Sequence, residues 1–388
     1  MVDPSAYTPP YDHALCAALA QAGAEVTLVT SRFAYGQAPA PEGYVRRELF
    51  YRVALGPAGS RARTAMKLVE HVPDMLRYRR FARAADVVHF QWLPVQHVDV
   101  RLLPGARRRG RRGRGHWRDR GGAHGPPLVI TAHDILPREP RPGQLAAQRR
   151  LYERFDAIVV HSEHGRARLT DELGVDGARV HVIPHGVLAP SRQTLTHRQQ
   201  LPDPLRRSPE DRPVALMLGL LRPYKGLDLL LEAWRGIEDA ELWVAGLPKF
   251  DILPLRDTAP ANVQFLTRFV SEEEIDTLMR RADLVVLPYR EADQSGVAFT
   301  ALGAGVPLLL SDVGGFPELA ATGAARTFPA GDAAALHTAL AELLAGPAIR
   351  AAMSERAGAA AEGPYSWQKI ALQTLGLYDS LLGKGANR

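Results

Sequence analysis

The sequence contains little cysteine, little lysine and no long apolar run. Its single cysteine, Cys16, excludes an intramolecular disulfide and a thiolate metal cluster, which suits a reducing compartment. Because Cys16 stands in an apolar helical pattern, we expect it to be a small core residue. No segment approaches the roughly 18 to 20 consecutive apolar residues that a membrane span needs, and no charged start with an apolar run marks a signal peptide. We therefore expect a soluble, cytoplasmic protein.

The positive charge of the chain is almost entirely arginine. Together, 48 Lys and Arg residues exceed 42 Asp and Glu residues, which gives a formal net charge of +6. Only five residues are lysine, and they are Lys67, Lys225, Lys249, Lys369 and Lys384. Much of the arginine lies between Arg107 and Arg120, inside a segment rich in Arg and Gly, 105–126. Such a run without apolar periodicity predicts a solvated loop, with peripheral contact to an anionic membrane at its inner face, or to a phosphate-bearing acceptor, as the alternative.

Short apolar strands alternate with helical segments along the 388 residues, a length that favours two domains. The first half has candidate strands at 25–30, 86–90, 127–134, 156–162 and 179–186. The second half has them at 214–219, 241–246, 263–267, 283–288 and 307–312. This alternation is typical of parallel sheets covered by helices on both faces. We therefore predict an α/β fold with two Rossmann-like domains.

The domain boundaries follow from composition. We predict an N-terminal domain over 1–188, a polar, proline-rich linker over 189–212 and a C-terminal domain over 213–365. The segment 366–388 holds a long amphipathic helix. The opening Met1 to Asp3 leaves room only for a stub of a first strand, unless the chain starts further upstream. Ser271, with Glu274 three residues later, predicts a capping box at a helix start.

The first chemical motif, GLLRPYKGLDLLLEAW, follows a strand of the second domain. Gly219 ends the strand, Arg222 and Lys225 occupy the loop, and Gly226 opens a helix. Two cations beside a helix N-terminus are suited to a diphosphate, the group that a nucleotide sugar leaves behind after transfer. The alternative is a pair of surface charges near a turn.

The second motif, PYREADQSGVAFTALGAGVPLLLSDVGGFPEL, also follows a strand. Small residues at a helix start, here Ser295, Gly296 and Val297, leave backbone N–H groups able to point at phosphate oxygens. The Gly314-Gly315 turn after the next strand is expected near the same place. Ligands of open parallel sheets bind beyond the carboxyl ends of the strands, where both motifs lie.

Histidines follow three strands of the first domain: His133 in TAHD, His161 in VVHS and His185 in IPHG. A histidine can donate a hydrogen bond to a sugar hydroxyl or to developing negative charge. A single histidine is more often a structural residue, so each of the three keeps that alternative. Their spacing does not suggest a metal site, because no H-x-x-x-H pair or carboxylate cluster accompanies them.

These motifs together resemble glycosyltransferase family 4, whose members are retaining enzymes of the GT-B fold, with two Rossmann-like domains facing across a cleft. The resemblance covers nearly the whole chain and is most specific in five stretches. They are GLLRPYKG at 219–226, QSGV at 294–297, the ALGAGVPLLLSDVGGFPE stretch, VVHSEHGR at 159–166 and IPHGV at 183–187.

The resemblance implies that the two domains bind different substrates. The C-terminal domain would bind a nucleotide-diphosphate sugar through Gly219, Arg222, Lys225 and the stretch Gln294 to Val297. His133 of the N-terminal domain would sit over the transferred hexosyl group, and the acceptor, a small molecule, glycan or lipid-linked sugar, would bind that domain. The final helix would cross back onto it. No metal ion and no cofactor are implied.

The sequence departs from the family at two acidic positions. The family usually carries two glutamates eight positions apart, the first near the sugar and the second on the nucleotide ribose. Here Thr300 stands at the second position and Ala292 at the first, with Glu291 one residue early. By this likeness, Glu291 takes the catalytic position and Thr300 the ribose position, and the identity of the donor is the property most affected.

Three other functions remain open at this level. A nucleotide-sugar epimerase can share the two-domain architecture, and a non-catalytic nucleotide-sugar-binding partner is compatible with the missing glutamates. A dinucleotide-dependent dehydrogenase is less favoured, because no G-x-G-x-x-G follows a strand with an acidic residue about 20 positions on. Nucleic-acid binding is not expected, because the arginine segment lacks interleaved aromatic residues.

Overall fold

The computed structural model of the chain describes residues 1–34, 36–54, 60–104, 125–136, 142–188, 201–205 and 211–384. The chain divides into two compact units. Unit 1 comprises Met1–Pro184 and Trp367–Arg388, and unit 2 comprises His185–Ser366. The expected loop at 105–126 lies outside the described residues except for its last two.

Unit 1 contains a seven-stranded parallel sheet. Its strands are β1 (Val2–Asp3), β2 (Thr27–Ser31), β3 (Val45–Phe50), β4 (Val88–Phe90), β5 (Leu128–Thr131), β6 (Ala157–Val160) and β7 (Val180–Val182). Their spatial order is β3-β2-β1-β4-β5-β6-β7. The helices between them are α1 (Pro9–Gln21), α2 (Arg61–Phe81), α3 (Gln96–Leu102), α4 (Gln144–Tyr152) and α5 (Glu163–Ala167).

Strand β1 is two residues long and lies in the middle of this sheet. Val2 pairs with Val29 of β2 on one side and with Phe90 of β4 on the other. The side chain of Val2 is buried, as are those of both partners. The opening residues therefore form a short central strand of the sheet. Cys16 of α1 is fully buried, as expected, and this burial raises the pKa of its thiol to about 12.

Unit 2 contains a six-stranded parallel sheet in the order β10-β9-β8-β11-β12-β13. Its strands are β8 (Val214–Leu218), β9 (Glu241–Ala245), β10 (Val263–Leu266), β11 (Leu284–Leu287), β12 (Leu308–Ser311) and β13 (Ala325–Phe328). Its helices are α6 (Leu227–Ala233), α7 (Leu253–Asp257), α8 (Glu272–Arg281), α9 (Gly296–Gly303), α10 (Phe316–Ala320), α11 (Ala333–Ala345) and α12 (Pro347–Glu362). The strands carry apolar side chains on both faces of the sheet, so helices pack on each face. The buried residues form two separate core clusters.

Local sequence signals explain where several of these elements begin. The capping box is confirmed, because the Ser271 side chain accepts from the Glu274 amide and the Glu274 carboxylate accepts from the Ser271 amide at the start of α8. None of the helices in the described ranges is long and apolar enough to cross a membrane.

The last helix, α13 (Trp367–Leu382), belongs to unit 1, not to the unit that precedes it in the chain. Its buried face packs on α1 and on the sheet, where the Trp367 ring meets the Tyr11 ring edge-on at 5.2 Å between centroids. The Tyr378 hydroxyl lies 2.6 Å from Nδ1 of His89 on β4.

The boundaries of the units differ in detail from those expected. Residues 185–188 lie in unit 2, and so do the described parts of the predicted linker, 201–205 and 211–212. Leu205 is fully buried in the unit 2 core, and Leu201 packs against that core. This part of the polar segment is therefore anchored to unit 2.

Candidate active site

In both sheets the strand order reverses beside the first strand of the unit. The reversal lies between β1 and β4 in unit 1 and between β8 and β11 in unit 2. Loops diverge at such a point and leave a crevice at the carboxyl ends of the strands, where ligands of doubly wound sheets bind. In unit 2, the loops that leave β8 and β11 carry the two predicted donor motifs.

Lys225 is the central residue of the unit 2 site. Its side chain is buried, and its Nζ lies 4.9 Å from the centroid of the Tyr289 ring. A Cβ placed on Gly219 would lie only 3.0 Å from Nζ of Lys225 and 3.4 Å from Cγ2 of Val297. The ammonium group therefore rests on the backbone at the end of β8, beside the start of α9. The structure thus brings together three of the predicted residues.

The charge of Lys225 has no carboxylate partner among the residues that the structure describes. A buried ammonium without a counter-ion loses hydration and gains little in return, which is unfavourable unless an anion binds. The site is therefore suited to a negatively charged ligand.

Arg222 and Gly226 bracket a short 3-10 turn, Pro223–Lys225. The Arg222 side chain is exposed, so it can reach a ligand in solvent. Gly226 has a φ of +70°, and a Cβ there would lie 2.1 Å from the carbonyl oxygen of Pro288. Only glycine fits at this close contact between the loops that follow β8 and β11.

Arg290, which the sequence reasoning did not single out, fastens these two loops to each other. Its Nη1 donates to the Pro223 carbonyl at 2.8 Å, and its amide donates to the Tyr224 carbonyl at 2.7 Å. Its guanidinium also bonds both carboxylate oxygens of Asp228, at 3.0 and 2.7 Å. The pKa of Asp228 is lowered by this hydrogen-bonded ion pair. Arg290 is thus a positioning residue for the turn that carries Lys225.

The start of α9 presents backbone amides to the same loops. Ser295 is the N-cap residue, and its side chain makes no capping bond. The first helical hydrogen bonds are donated by Ala298 and Phe299 to the Ser295 carbonyl, so the amides of Gly296 and Val297 precede the helical ladder. These amides have the arrangement that binds phosphate at helix starts.

The remaining predicted donor residues flank this helix start. Glu291 is exposed, and Gln294 is half-buried. The Thr300 hydroxyl donates to the Gly296 carbonyl of its own helix at 2.9 Å, while Ala292, at the first of the two acidic positions of the family, is buried. The roles of Glu291 and Thr300 remain predictions.

His133 lies at the carboxyl end of β5 in unit 1, inside an aromatic cage. The ring is half-buried, and its Nε2 lies 3.0 Å from Oε1 of Gln91, to which it donates. Trp92 stacks on the ring with 5.0 Å between centroids, and Tyr11 meets it edge-on at 4.7 Å. The Trp92 indole in turn donates to Thr8 at 3.0 Å. His133 is therefore held in one orientation at the carboxyl end of β5.

The other two histidines of the expected group lie inside the protein. Nδ1 of His161 donates to the Ile183 carbonyl at 2.9 Å, and burial lowers the pKa of His161 to about 4. The His185 ring stacks on Phe299 at 4.4 Å, and its Nδ1 donates to the Gly186 carbonyl at 2.6 Å. These contacts support the structural alternative for both residues.

Among the described residues, no group of three or more His, Cys, Asp or Glu side chains could hold a metal ion. Metal independence stays a prediction.

The fold of the chain is similar to that of sucrose-phosphate synthase from Thermosynechococcus elongatus. The two structures have a TM-score of 0.72 at 20% sequence identity, over 96% of this chain and 93% of the other. Two parallel-sheet Rossmann-like units with this likeness define a protein of the GT-B fold.

Two family matches identify the chain more closely. Residues 11–188 match the family described as Glycosyltransferase Family 4, and residues 203–359 match the family described as Glycosyl transferases group 1. Together the matches cover most of both units. The chain is a GT-B protein of the glycosyltransferase family 4 type, as the motifs predicted.

Curated relatives of the chain are glycosyltransferases. It is 29% identical over 266 residues to D-inositol 3-phosphate glycosyltransferase of Mycolicibacterium paratuberculosis, which is 62% of this chain and 58% of the relative. It is 30% identical over 226 residues to the GDP-mannose-dependent alpha-(1-6)-phosphatidylinositol monomannoside mannosyltransferase of Mycolicibacterium smegmatis, which is 53% of this chain and 58% of the relative. The chain thus spans about three fifths of the length of these relatives.

Proposed function

We propose that the chain transfers a hexosyl group from a nucleotide-diphosphate sugar to an acceptor, with retention of the anomeric configuration and without a metal ion. The observation that carries this proposal is the buried Lys225 ammonium, which lacks a carboxylate partner in the described part of the chain and lies beside the start of α9. Because the chain is of the glycosyltransferase family 4 type, we take the anion at this site to be the diphosphate of a nucleotide sugar.

The leaving diphosphate is the group that this site would stabilise. Charge develops on the diphosphate as the glycosidic bond breaks, so a fixed cation and fixed amides lower the barrier most when they are already in place. Lys225, Arg222 and the amides of Gly296 and Val297 supply these groups in unit 2. The acceptor oxygen then bonds to the anomeric carbon on the face from which the diphosphate leaves, and a leaving oxygen of the diphosphate takes up the proton of the acceptor hydroxyl, which gives retention.

In this proposal unit 1 binds the acceptor and supplies His133 to the transferred sugar. The aromatic cage and Gln91 hold the imidazole ready to hydrogen-bond a sugar hydroxyl. Glu291 is proposed near the sugar, and Thr300 near the nucleotide ribose. A threonine hydroxyl bonds a diol less strongly than a carboxylate does, so we expect weaker ribose recognition than the two-glutamate pattern provides.

The donor base and the acceptor follow only in outline from the relatives. One relative is named for GDP-mannose, and both are named for inositol-containing acceptors. A guanosine donor and a polyol acceptor are therefore the first candidates. The epimerase alternative is not favoured, because these relatives are named as transferases.

Retention gives a direct test of the proposed mechanism. We expect proton NMR of the transfer product, formed from an α-linked donor, to show an α linkage from the first detectable turnover. Addition of a chelator is expected to leave the initial rate unchanged. A β-linked product would contradict retention, and loss of rate that returns with a divalent cation would contradict metal independence. Release of an epimerised nucleotide sugar without an acceptor would support the epimerase instead.

A further inference from the structure

Unit 1 contains a cavity of about 320 Å³ beyond the carboxyl ends of β1 to β4. Its wall is built from the loops that follow these strands and from the first two turns of α2. Binding pockets for small molecules commonly have volumes of about 300 to 1,000 Å³, so the cavity can hold one small polar molecule.

Two cations of α2 line this cavity. Arg63 and Lys67 are four residues apart, and therefore lie on the same face of the helix. Like charges at this spacing destabilise a helix, and Lys67 is also half-buried. Burial and the neighbouring Arg63 lower the pKa of Lys67, with a smaller opposing effect from Asp3. Lys67 makes no salt bridge with any residue that the structure describes.

Backbone strain is concentrated at the same cavity. Within the described ranges, Ala6 and Tyr51 are the non-glycine residues with positive φ, and each has a φ of 51°. Both residues line the cavity. Such conformations cost free energy and persist where the surrounding structure enforces them, commonly at ligand sites.

The wall at Tyr51 is held by a buried polar relay. The Tyr51 hydroxyl lies 2.7 Å from Nδ1 of His71, and Nε2 of His71 donates to Oδ1 of Asp99 at 2.5 Å. The Tyr51 amide donates to Asp74 at 2.8 Å. The Tyr51 ring then lies 4.9 Å from Nζ of Lys67. The strained residue therefore presents a fixed aromatic face to the lysine and helps to place its charge.

We propose that this cavity binds a phosphate group of the acceptor, with Arg63 and Lys67 as its cationic ligands. The inference rests on the proposed function, because it names the chemical class of the substrate that unit 1 accepts. A phosphate monoester carries a charge of about −1.5 to −2 at pH 7, which matches two cations. The Arg63 guanidinium suits two oxygens of one phosphate, and Lys67 supplies a point charge.

The test compares two polyols that differ only by a phosphate. Calorimetric titration of the full chain with D-myo-inositol 3-phosphate is expected to show binding about 10-fold to 100-fold tighter than with myo-inositol, since a charge-assisted contact is of that order. Lys67→Met and Arg63→Gln are each expected to remove most of this difference, and Lys67→Arg to restore part of it. Equal binding of the two polyols to the wild-type chain would overturn the proposal for a free phosphorylated polyol and leave only the lipid arm below to support it.

The matched control is Arg80→Gln, which removes an exposed arginine from the far end of the same helix. It is expected to leave the preference for the phosphorylated polyol unchanged. An equal loss in Arg80→Gln and Arg63→Gln would show general attraction to a basic helix and overturn the assigned site. Binding of a nucleoside diphosphate by each variant reports that unit 2 is folded.

Two further arms identify the source of the phosphate and separate this proposal from the previous one. Vesicles of phosphatidylcholine with and without phosphatidylinositol 3-phosphate, whose headgroup carries a phosphate monoester, test a lipid headgroup, and binding that Lys67→Met abolishes would support the proposal with a lipid-linked acceptor. No preference for phosphate in either arm would overturn it. A wild-type chain that prefers the phosphorylated polyol but binds no nucleoside diphosphate would refute the proposed transferase while leaving the phosphate site standing.

Discussion

Replacement of Lys225 by methionine is expected to lower kcat/KM for sugar transfer by about 100-fold to 1,000-fold, the usual effect of removing one fixed group that stabilises developing charge. Methionine keeps most of the length and the apolar stem of the side chain but removes the ammonium. The buried site on the backbone of Gly219 would then face the diphosphate without its ammonium group. The rate of nucleoside diphosphate release in the presence of acceptor measures the effect.

Lys369→Met provides the matched control, because it makes the same chemical change at an exposed lysine of α13. We expect this variant to retain the wild-type kcat/KM. A Lys225→Met enzyme that keeps wild-type activity and melts at the wild-type temperature would show that the ammonium does not act on the leaving group.

Replacement of Gly226 by alanine is expected to lower the free energy of unfolding by about 2 to 4 kcal/mol and to abolish nucleotide binding. The added Cβ would lie 2.1 Å from the Pro288 carbonyl oxygen, at a φ of +70° that alanine tolerates poorly. The two loops must separate to relieve this contact, and the turn that carries Lys225 moves with them. Urea unfolding, followed by fluorescence, measures the change in stability.

Gly358→Ala tests the same substitution where the structure gives it room. Gly358 lies inside α12, and a Cβ there meets nothing within 4 Å. Alanine is a better helix former than glycine, so this variant is expected to gain about 0.5 to 1 kcal/mol. Equal stability of the Gly226 and Gly358 variants would contradict the close contact between the two loops.

The strand pattern and the phosphate motifs were predictable because each depends on a short stretch of sequence. Buried parallel strands appear as apolar runs, and the paired glycines around Lys225 are required by backbone geometry. The predictions for β8 to β12 agree with the structure within a few residues. Strand β3 was missed because Val45–Phe50 contains two arginines and a glutamate, and most of its side chains are exposed or only partly buried.

Helix α2 and the cavity it lines could not be read from the sequence. The helix carries Pro73 in its interior, which is usually a sign that a helix ends. The cavity joins residues that follow four different strands, and its Tyr51, His71 and Asp99 relay connects distant parts of the chain. Only the sheet order brings these residues together.

The loop-fastening role of Arg290 was missed for a related reason. In the sequence, this arginine is one of 48 Lys and Arg residues, and nothing in the motif sets it apart from its neighbours. Its bonds to the Pro223 carbonyl and to Asp228 cross more than 60 positions. The histidines were identified from the sequence because each follows a strand. The sequence could not show that His133 lies in an aromatic cage while His161 is buried.

A thermal-shift panel of UDP, GDP, ADP and TDP on the wild-type chain tests whether unit 2 binds a nucleotide. Ligands that bind only the folded state raise the melting temperature, and a concentration of 100 times Kd adds about 2.7 kcal/mol. We expect one of these nucleoside diphosphates to stabilise the chain and its sugar conjugate to do so as well. The absence of a shift with every nucleotide, at millimolar concentration, would contradict a nucleotide-sugar site in unit 2.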